Sequence, residues 1–369
     1  MINHNKKKLI FFLSESETHF QGAPRPFINW AIELAKEQYE IDFILFKCGE
    51  EIRSFIKSNV KNVSLKYVRD FDDTLRYLEN SRPDLLLSDD YYSRLKFITK
   101  IKDRIRIKTL IYVQILFGFH SIADVFKLSY LSLRHKMIFG ATRCLPFYFL
   151  KIPYKRLLLK QNVIVANSNT AAMLLHTLYG IEPLRIIYPP VNTMQFKFYK
   201  GREKNQALIY LGSYGGDTDE NLIRKICTVL KARKFDTLTF GNEDVVKKLR
   251  SEFAVHHVGG VTDEELARIY SETNLTMCPQ KWETFGYTVA ESICCGTPVL
   301  AFNCMGAGEI LSQVNGQYLV NNERDFLERV ESFAAKEGEK DKQTYPWDIS
   351  YSTRRLNLLI QQCLNPVGL

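Results

Sequence analysis

Short apolar runs recur along the first half of the chain at residues 9–13, 41–46, 85–87, 109–113 and 163–166. Continuous apolar runs of this kind, rather than strict alternation, predict strands covered on both faces. Stretches with helical spacing lie between them. Residues 27–38 carry Ile28, Ala31, Ile32 and Ala35 on one stripe, which suits a helix packed over a sheet. The alternation implies βαβ units and a parallel sheet with helices on both faces. The rhythm pauses at residues 196–205, a polar segment with Lys197, Lys200, Arg202 and Lys204, and restarts at 207–211. It continues through expected strands at 238–240, 256–258, 275–278, 298–302 and 318–320, with no short-period repeat.

The chain has 369 residues, more than one hydrophobic core usually organises, which agrees with two domains joined near residues 196–205. A composition of 46% hydrophobic and 25% charged residues excludes disordered and collagen-like classes. No apolar run approaches the roughly 18 residues needed to cross a bilayer. Lys6, Lys7 and Lys8 precede an apolar run too short for a secretory signal, so the expected location is cytoplasmic. The eight cysteines include no Cys-x-x-Cys pair and no His at zinc spacing, so they are expected to be reduced core residues, with no metal site. Charge is uneven. Residues 1–200 hold 31 Lys or Arg against 18 Asp or Glu, whereas residues 201–369 hold 19 against 23. The two halves therefore suit different partners.

The segment 275–309 concentrates the candidate chemistry. An expected strand ends at Cys278-Pro279, and a loop through Glu283-Thr284-Phe285-Gly286 leads into a helix of about ten residues. Gly296 closes that helix, Pro298 opens the next strand, and Gly306-Ala307-Gly308-Glu309 forms a further glycine loop. Gly286 permits a tight turn at a helix N-terminus, where backbone amides and the positive dipole end receive a phosphate. Glu283 and Glu291 would then flank that phosphate, because carboxylates accept hydrogen bonds from the hydroxyl pairs of ribose or hexose. The plainer alternative makes Glu283 a helix-start residue and Glu291 a solvated one.

With these residues in place, the sequence resembles the retaining sugar-nucleotide glycosyltransferases of family 4. The resemblance rests on Glu-x7-Glu at Glu283 and Glu291 followed by Glu309-Ile310, and on the stretches 162–168, 178–181, 189–191, 259–266 and 345–347. It implies the α/β GT-B fold, two doubly wound Rossmann-like domains facing a central cleft. Residues 1–195 would form an N-terminal acceptor-binding domain and residues 206–345 a C-terminal nucleotide-sugar domain. Residues 346–369 would form a helix returning to the N-terminal domain. The implied reaction transfers a hexose-type sugar from a nucleotide diphosphate sugar to a saccharide or lipid-linked acceptor, with no metal and no cofactor beyond that donor. Glu283 would be catalytic, holding donor-sugar hydroxyls, and Glu291 would bind the ribose. Phe285, Gly286 and Tyr287 would face the diphosphate, Gly212 and Ser213 would line the donor site, and the stretch ending at Val261 would line the base.

The chain departs from the family in its cations and in its first domain. Where an Arg and a Lys are usual after the first strand of the second domain, it has Ser213 and the acidic run 217–220. Loss of one such electrostatic donor costs roughly 3 kcal/mol in other enzymes. Lys281, Arg224 and Lys225 are the candidate replacements. In the first domain Gly22-Ala23-Pro24 stands where paired glycines are usual, and Gln114 stands at a His position. His120 is the nearest replacement as a catalytic residue, with His19 another candidate. Asn167 and Ser168, at a strand-to-helix junction, read better as helix caps than as acceptor ligands.

Residues 125–181 hold eight Lys or Arg and no Asp or Glu, interleaved with aromatic and aliphatic side chains. Two readings stand: peripheral attachment to an anionic membrane at its inner face, or a core helix pair with a basic solvated face. No nucleic-acid module accompanies the charge, so nucleic acid is not an expected partner. The alternative function is a non-catalytic glycosyltransferase-like subunit supporting an active partner.

Overall fold

The computed structural model describes residues 6–14, 24–37, 39–46, 63–114, 145–199, 205–212, 219–314, 317–333 and 345–365, with Ser54, Lys57 and Met137 besides; side chains at 145–148 are not among them. These residues fall into two units, one of 6–114, 145–190 and 346–365, the other of 191–345.

Unit 1 holds a parallel sheet of β1 (Lys7–Ser14), β2 (Tyr39–Phe46), β3 (Val63–Val68), β4 (Leu85–Asp89), β5 (Thr109–Val113), β6 (Val163–Ala166) and β7 (Arg185–Ile186). The strand order is β3-β2-β1-β4-β5-β6-β7. β1 pairs with β2 from Lys7↔Tyr39 to Ser14↔Phe46, and with β4 at Leu9↔Leu85 to Phe11↔Leu87. Its side chains alternate between two cores. Leu9, Phe11 and Leu13 join α1 (Arg25–Leu34) and α12 (Ile349–Leu364), while Ile10 and Phe12 join α3 (Tyr92–Lys102), α4 (Leu145–Leu159) and α5 (Asn169–Tyr179). Burial on both faces explains the uninterrupted apolar run. A further helix, α2 (Phe71–Ser81), follows β3.

The pattern over 27–38 overshoots α1, which ends at Leu34. The amides of Lys36 and Glu37 turn back to Glu33 and Leu34 three residues before, tightening the chain into β2. α12 packs on α1 within unit 1. Trp30 Nε1 donates to Ser352 Oγ at 3.0 Å, and that hydroxyl donates to the Tyr188 carbonyl at 2.6 Å. Ser352→Ala leaves both groups buried without this partner and is expected to cost roughly 2 kcal/mol in urea unfolding; an unchanged midpoint would show the bridge to be idle.

Unit 2 holds β8 (Gln206–Tyr210), β9 (Asp236–Phe240), β10 (Val255–Val258), β11 (Leu275–Cys278), β12 (Val299–Phe302) and β13 (Tyr318–Val320), ordered β10-β9-β8-β11-β12-β13 and all parallel. The helices are α6 (Glu220–Ala232), α7 (Glu243–Leu249), α8 (Asp263–Glu272), α9 (Tyr287–Cys294), α10 (Met305–Leu311) and α11 (Glu323–Ser332). Ala207, Ile209 and Leu211 bury against Leu222, Ile223, Ile226 and Leu230 of α6 and Phe326 and Val330 of α11. Phe196 is fully buried beside Tyr270, and the Tyr199 amide donates to Ser271 Oγ at 3.1 Å. The polar stretch after Pro190 thus begins with a core residue of unit 2.

Candidate active site

In each sheet the direction of strand addition reverses once, and ligands of doubly wound folds bind outside the carboxyl ends of the two strands at that reversal. In unit 2 those strands are β8 and β11. The two ends are tied together: Gln280, just past β11, donates from Nε2 to the Tyr210 carbonyl at 2.6 Å. Gly212 follows β8 with φ +74°, and its carbonyl accepts the Asn242 amide at 3.0 Å.

From β11 the chain runs through Glu283 to Gly286, the N-cap of α9, whose φ of +95° suits a residue without Cβ. Gly286 supplies no side-chain cap, unlike Asp219, Asn242, Thr262 and Asn322 at the starts of α6, α7, α8 and α11. The half-buried Glu283 has its Oε2 3.4 Å from the point a Cβ on Gly286 would occupy, placing the carboxylate against this positive helix end. Phe285 is buried and meets Tyr287 edge-on, ring centroids 5.3 Å apart. The loop is held from below by α10, where the Gly306 amide donates to the Glu283 carbonyl at 2.7 Å.

Glu291 lies about one turn into α9. It is 2% exposed, and its Oε2 accepts the hydroxyl of Tyr270, on α8, at 3.3 Å. The solvated alternative for this residue is therefore corrected. Burial, and then the carboxylate itself, push the Tyr270 phenol up, so it stays a donor. Burial, with Glu283 nearby, also pushes the Cys278 thiol well up, which leaves it without nucleophilic character. Gly296, with φ +71°, ends the segment at the position after the Cys295 cap. Val261 is half-buried one residue before Thr262, whose side chain and Glu265 form the capping box of α8.

Two of the three candidate cations pair with carboxylates. Arg224 pairs with Glu252, and Lys281 lies 3.7 Å from Glu323 and over the Phe302 ring at 4.6 Å. Lys225 is exposed on α6. Ser213 and His120 lie outside the described residues, as do His19, Gly22 and Ala23.

Unit 1 has its own reversal, between β1 and β4, and a cluster that sequence reasoning missed stands at the carboxyl end of β4. Asp89 pairs with Arg94, both fully buried. Asp90 accepts the Gln114 amide and the Tyr154 hydroxyl, each at 2.8 Å. Tyr179 lies 5.1 Å from Tyr154, its phenol pushed up by burial and then by Asp90. The signal was the Ser88-Asp89-Asp90 sequence directly after a fully apolar run. Ser168 caps α5, accepting the Ala171 amide at 3.0 Å.

Residues 241–345 match the family model described as glycosyl transferases group 1. That segment contains Glu283, Glu291 and all of β10 to β13. A curated relative, an uncharacterized 41.2 kDa protein in the cps region of Klebsiella pneumoniae, is 26% identical over 118 residues, spanning 31% of this chain and 33% of that protein. Among solved structures, Alr3699/HepE of Anabaena, in complex with UDP and glucose, superposes with a TM-score of 0.71 at 14% identity, covering 96% of this chain and 99% of that one. A glycosyltransferase from Rickettsia africae ESF-5 gives 0.70 at 13% identity, covering 98% and 100%. The fold is GT-B. Two parallel α/β units of Rossmann type, each with one reversal of strand order, are its GT-B halves. Among the described residues, no helix of this GT-B chain is long and apolar enough to cross a membrane.

Proposed function

We propose that the protein is a retaining glycosyltransferase that moves a hexose-type sugar from a nucleotide diphosphate sugar to a saccharide or lipid-linked acceptor. The observation that carries this reading is the arrangement at the end of β11: Glu283 against the Gly286 start of α9, with Glu291 buried about one turn further on. It falls within the segment matched by the group 1 family model, and a fold neighbour was solved with UDP and glucose.

In this reading the start of α9 receives the diphosphate through backbone amides of Phe285, Gly286 and Tyr287 and the helix dipole. Glu291 accepts from the ribose hydroxyls, oriented by Tyr270, and Glu283 holds hydroxyls of the donor sugar. The bond between the anomeric carbon and the phosphate oxygen breaks, the acceptor oxygen bonds that carbon from the same face, and the acceptor's proton leaves with the diphosphate. Fixed positive dipoles stabilise the departing charge. The pairing of Arg224 with Glu252 and of Lys281 with Glu323 favours a second reading, a non-catalytic subunit that retains the fold.

The test is a thermal-shift panel of nucleotide sugars on the full chain, since a ligand that binds only the folded state raises its stability, followed by anomer-resolved product analysis. Glu291→Ala is expected to weaken donor binding by about tenfold or more, the loss of one charge-assisted hydrogen-bond pair. Glu283→Ala is expected to lower turnover with little change in donor affinity. Wild-type kinetics in both variants would refute the assignment, and donor binding without transfer or hydrolysis would favour the subunit reading.

A further inference from the structure

We propose that unit 1 docks on an anionic phospholipid surface through the outward stripe of α4. The choice of a lipid-linked over a free acceptor rests on the transferase reading above, but the surface itself stands on exposure and charge.

On α4, Tyr154 and Leu158 are fully buried in the core shared with α3 and α5, whereas Phe149, Ile152 and Leu159 are 72%, 60% and 59% exposed. At about 100° per residue these three project within an arc of roughly 80°. Arg156, also exposed, falls inside that arc. Single exposed apolar residues need no explanation, but three large ones on the solvent stripe of one helix mark an interaction surface.

The charge around the stripe selects the partner. In unit 1 the described residues 91–114 and 145–181 hold eleven Lys or Arg and one acid, Asp103. α3 packs on α4 and exposes Lys96 and Lys100, with Arg104 just beyond it. That acid, Asp103, is paired with Lys160 at 3.5 Å. The next acid, Glu182, faces His176 Nδ1 at 2.5 Å. Lys155 is set apart from the stripe, its ammonium 3.7 Å from where a Cβ on Gly180 would stand, at the negative end of α5. The stripe thus combines three exposed apolar side chains with Arg156, beside a helix that exposes Lys96 and Lys100, the composition of a helix lying in a membrane interface. A second copy of this chain would bring a like-charged surface, since residues 1–200 are strongly basic. The apolar side chains are exposed on a helix surface, which suits insertion between lipids.

The test sediments the full chain with vesicles of phosphatidylcholine alone and of phosphatidylcholine with phosphatidylglycerol. Binding is expected on the mixed vesicles, weakly or not at all on the neutral ones, and to fall as salt screens the basic side chains. The triple variant F149S/I152S/L159S is expected to lose partitioning on the order of a hundredfold, with unfolding temperature and donor affinity unchanged because all three positions are exposed. Failure of the wild type to bind mixed vesicles, or wild-type binding by the variant, overturns the proposal. So does a concentration-dependent dimer in sedimentation velocity that the same substitutions abolish. Absence of sugar transfer with vesicle binding intact sinks the transferase reading and leaves this one standing.

Discussion

Gly306→Ala is expected to destabilise unit 2 by about 3 kcal/mol, the upper part of the usual range for forced overpacking, and to abolish donor binding. A Cβ at Gly306 would stand 2.5 Å from the nitrogen and oxygen of Phe285 and from the carbonyl carbon of Thr284. All three are backbone atoms, so no side-chain rotation relieves the contact. Relief requires the 283–286 loop to lift away from α10, which breaks the 2.7 Å bond from the Gly306 amide to the Glu283 carbonyl. That bond contributes on the order of 1 kcal/mol, and the loop it anchors carries Glu283 and the start of α9. Gly308 provides the comparison. A Cβ there would meet the Asn303 carbonyl carbon at 3.2 Å, a contact that a shift of a few tenths of an ångström relieves. Gly308→Ala should therefore retain donor binding with a much smaller loss of stability. Urea unfolding and nucleotide-sugar thermal shifts on both variants check this, and a wild-type midpoint with wild-type donor affinity in Gly306→Ala would show that the loop does not depend on its seat.

The same glycine shows what a linear reading captures. The strands at 109–113, 163–166, 275–278 and 318–320 coincide with the apolar pattern, because strands covered by helices on both faces are predominantly apolar. β3 escaped it. Ser64, Lys66 and Tyr67 reach solvent at the sheet edge and break the run, and β7 has only two residues. Within the candidate site, Glu283, Gly286, Glu291 and Gly296 were legible because a loop, a helix start and a helix stop are local events. The burial of Glu291 was not, since it depends on Tyr270 on the preceding helix. Nor was the seat of Phe285 on Gly306, or the use of Asp90, whose partner Tyr154 lies 64 residues away. Lys281 was legible as a positive residue near the site, but only the fold reveals that Glu323 faces it.

Arg94→Met is expected to cost unit 1 about 3–5 kcal/mol, the loss seen when one partner of a buried ion pair is removed. Arg94 and Asp89 have side chains 1% and 0% exposed, and Asp89 also accepts the Tyr91 amide at 3.2 Å. Without the guanidinium, Asp89 keeps a buried charge next to Asp90, which is itself 1% exposed and bound to the Gln114 amide and the Tyr154 hydroxyl. For a domain of ordinary stability, roughly 5–15 kcal/mol, such a loss removes a large share of the margin. Arg94→Lys should fall between, because an ammonium keeps the charge but not the planar fork. The double variant Asp89→Leu/Arg94→Met distinguishes an ion pair from simple packing. Removing both charges together avoids the uncompensated carboxylate, so it should recover most of the loss, less about 1 kcal/mol for the Tyr91 amide. Equilibrium unfolding of the three variants measures this. If Arg94→Met stays within about 1 kcal/mol of wild type, the pair is solvated in practice and contributes little to holding the end of β4.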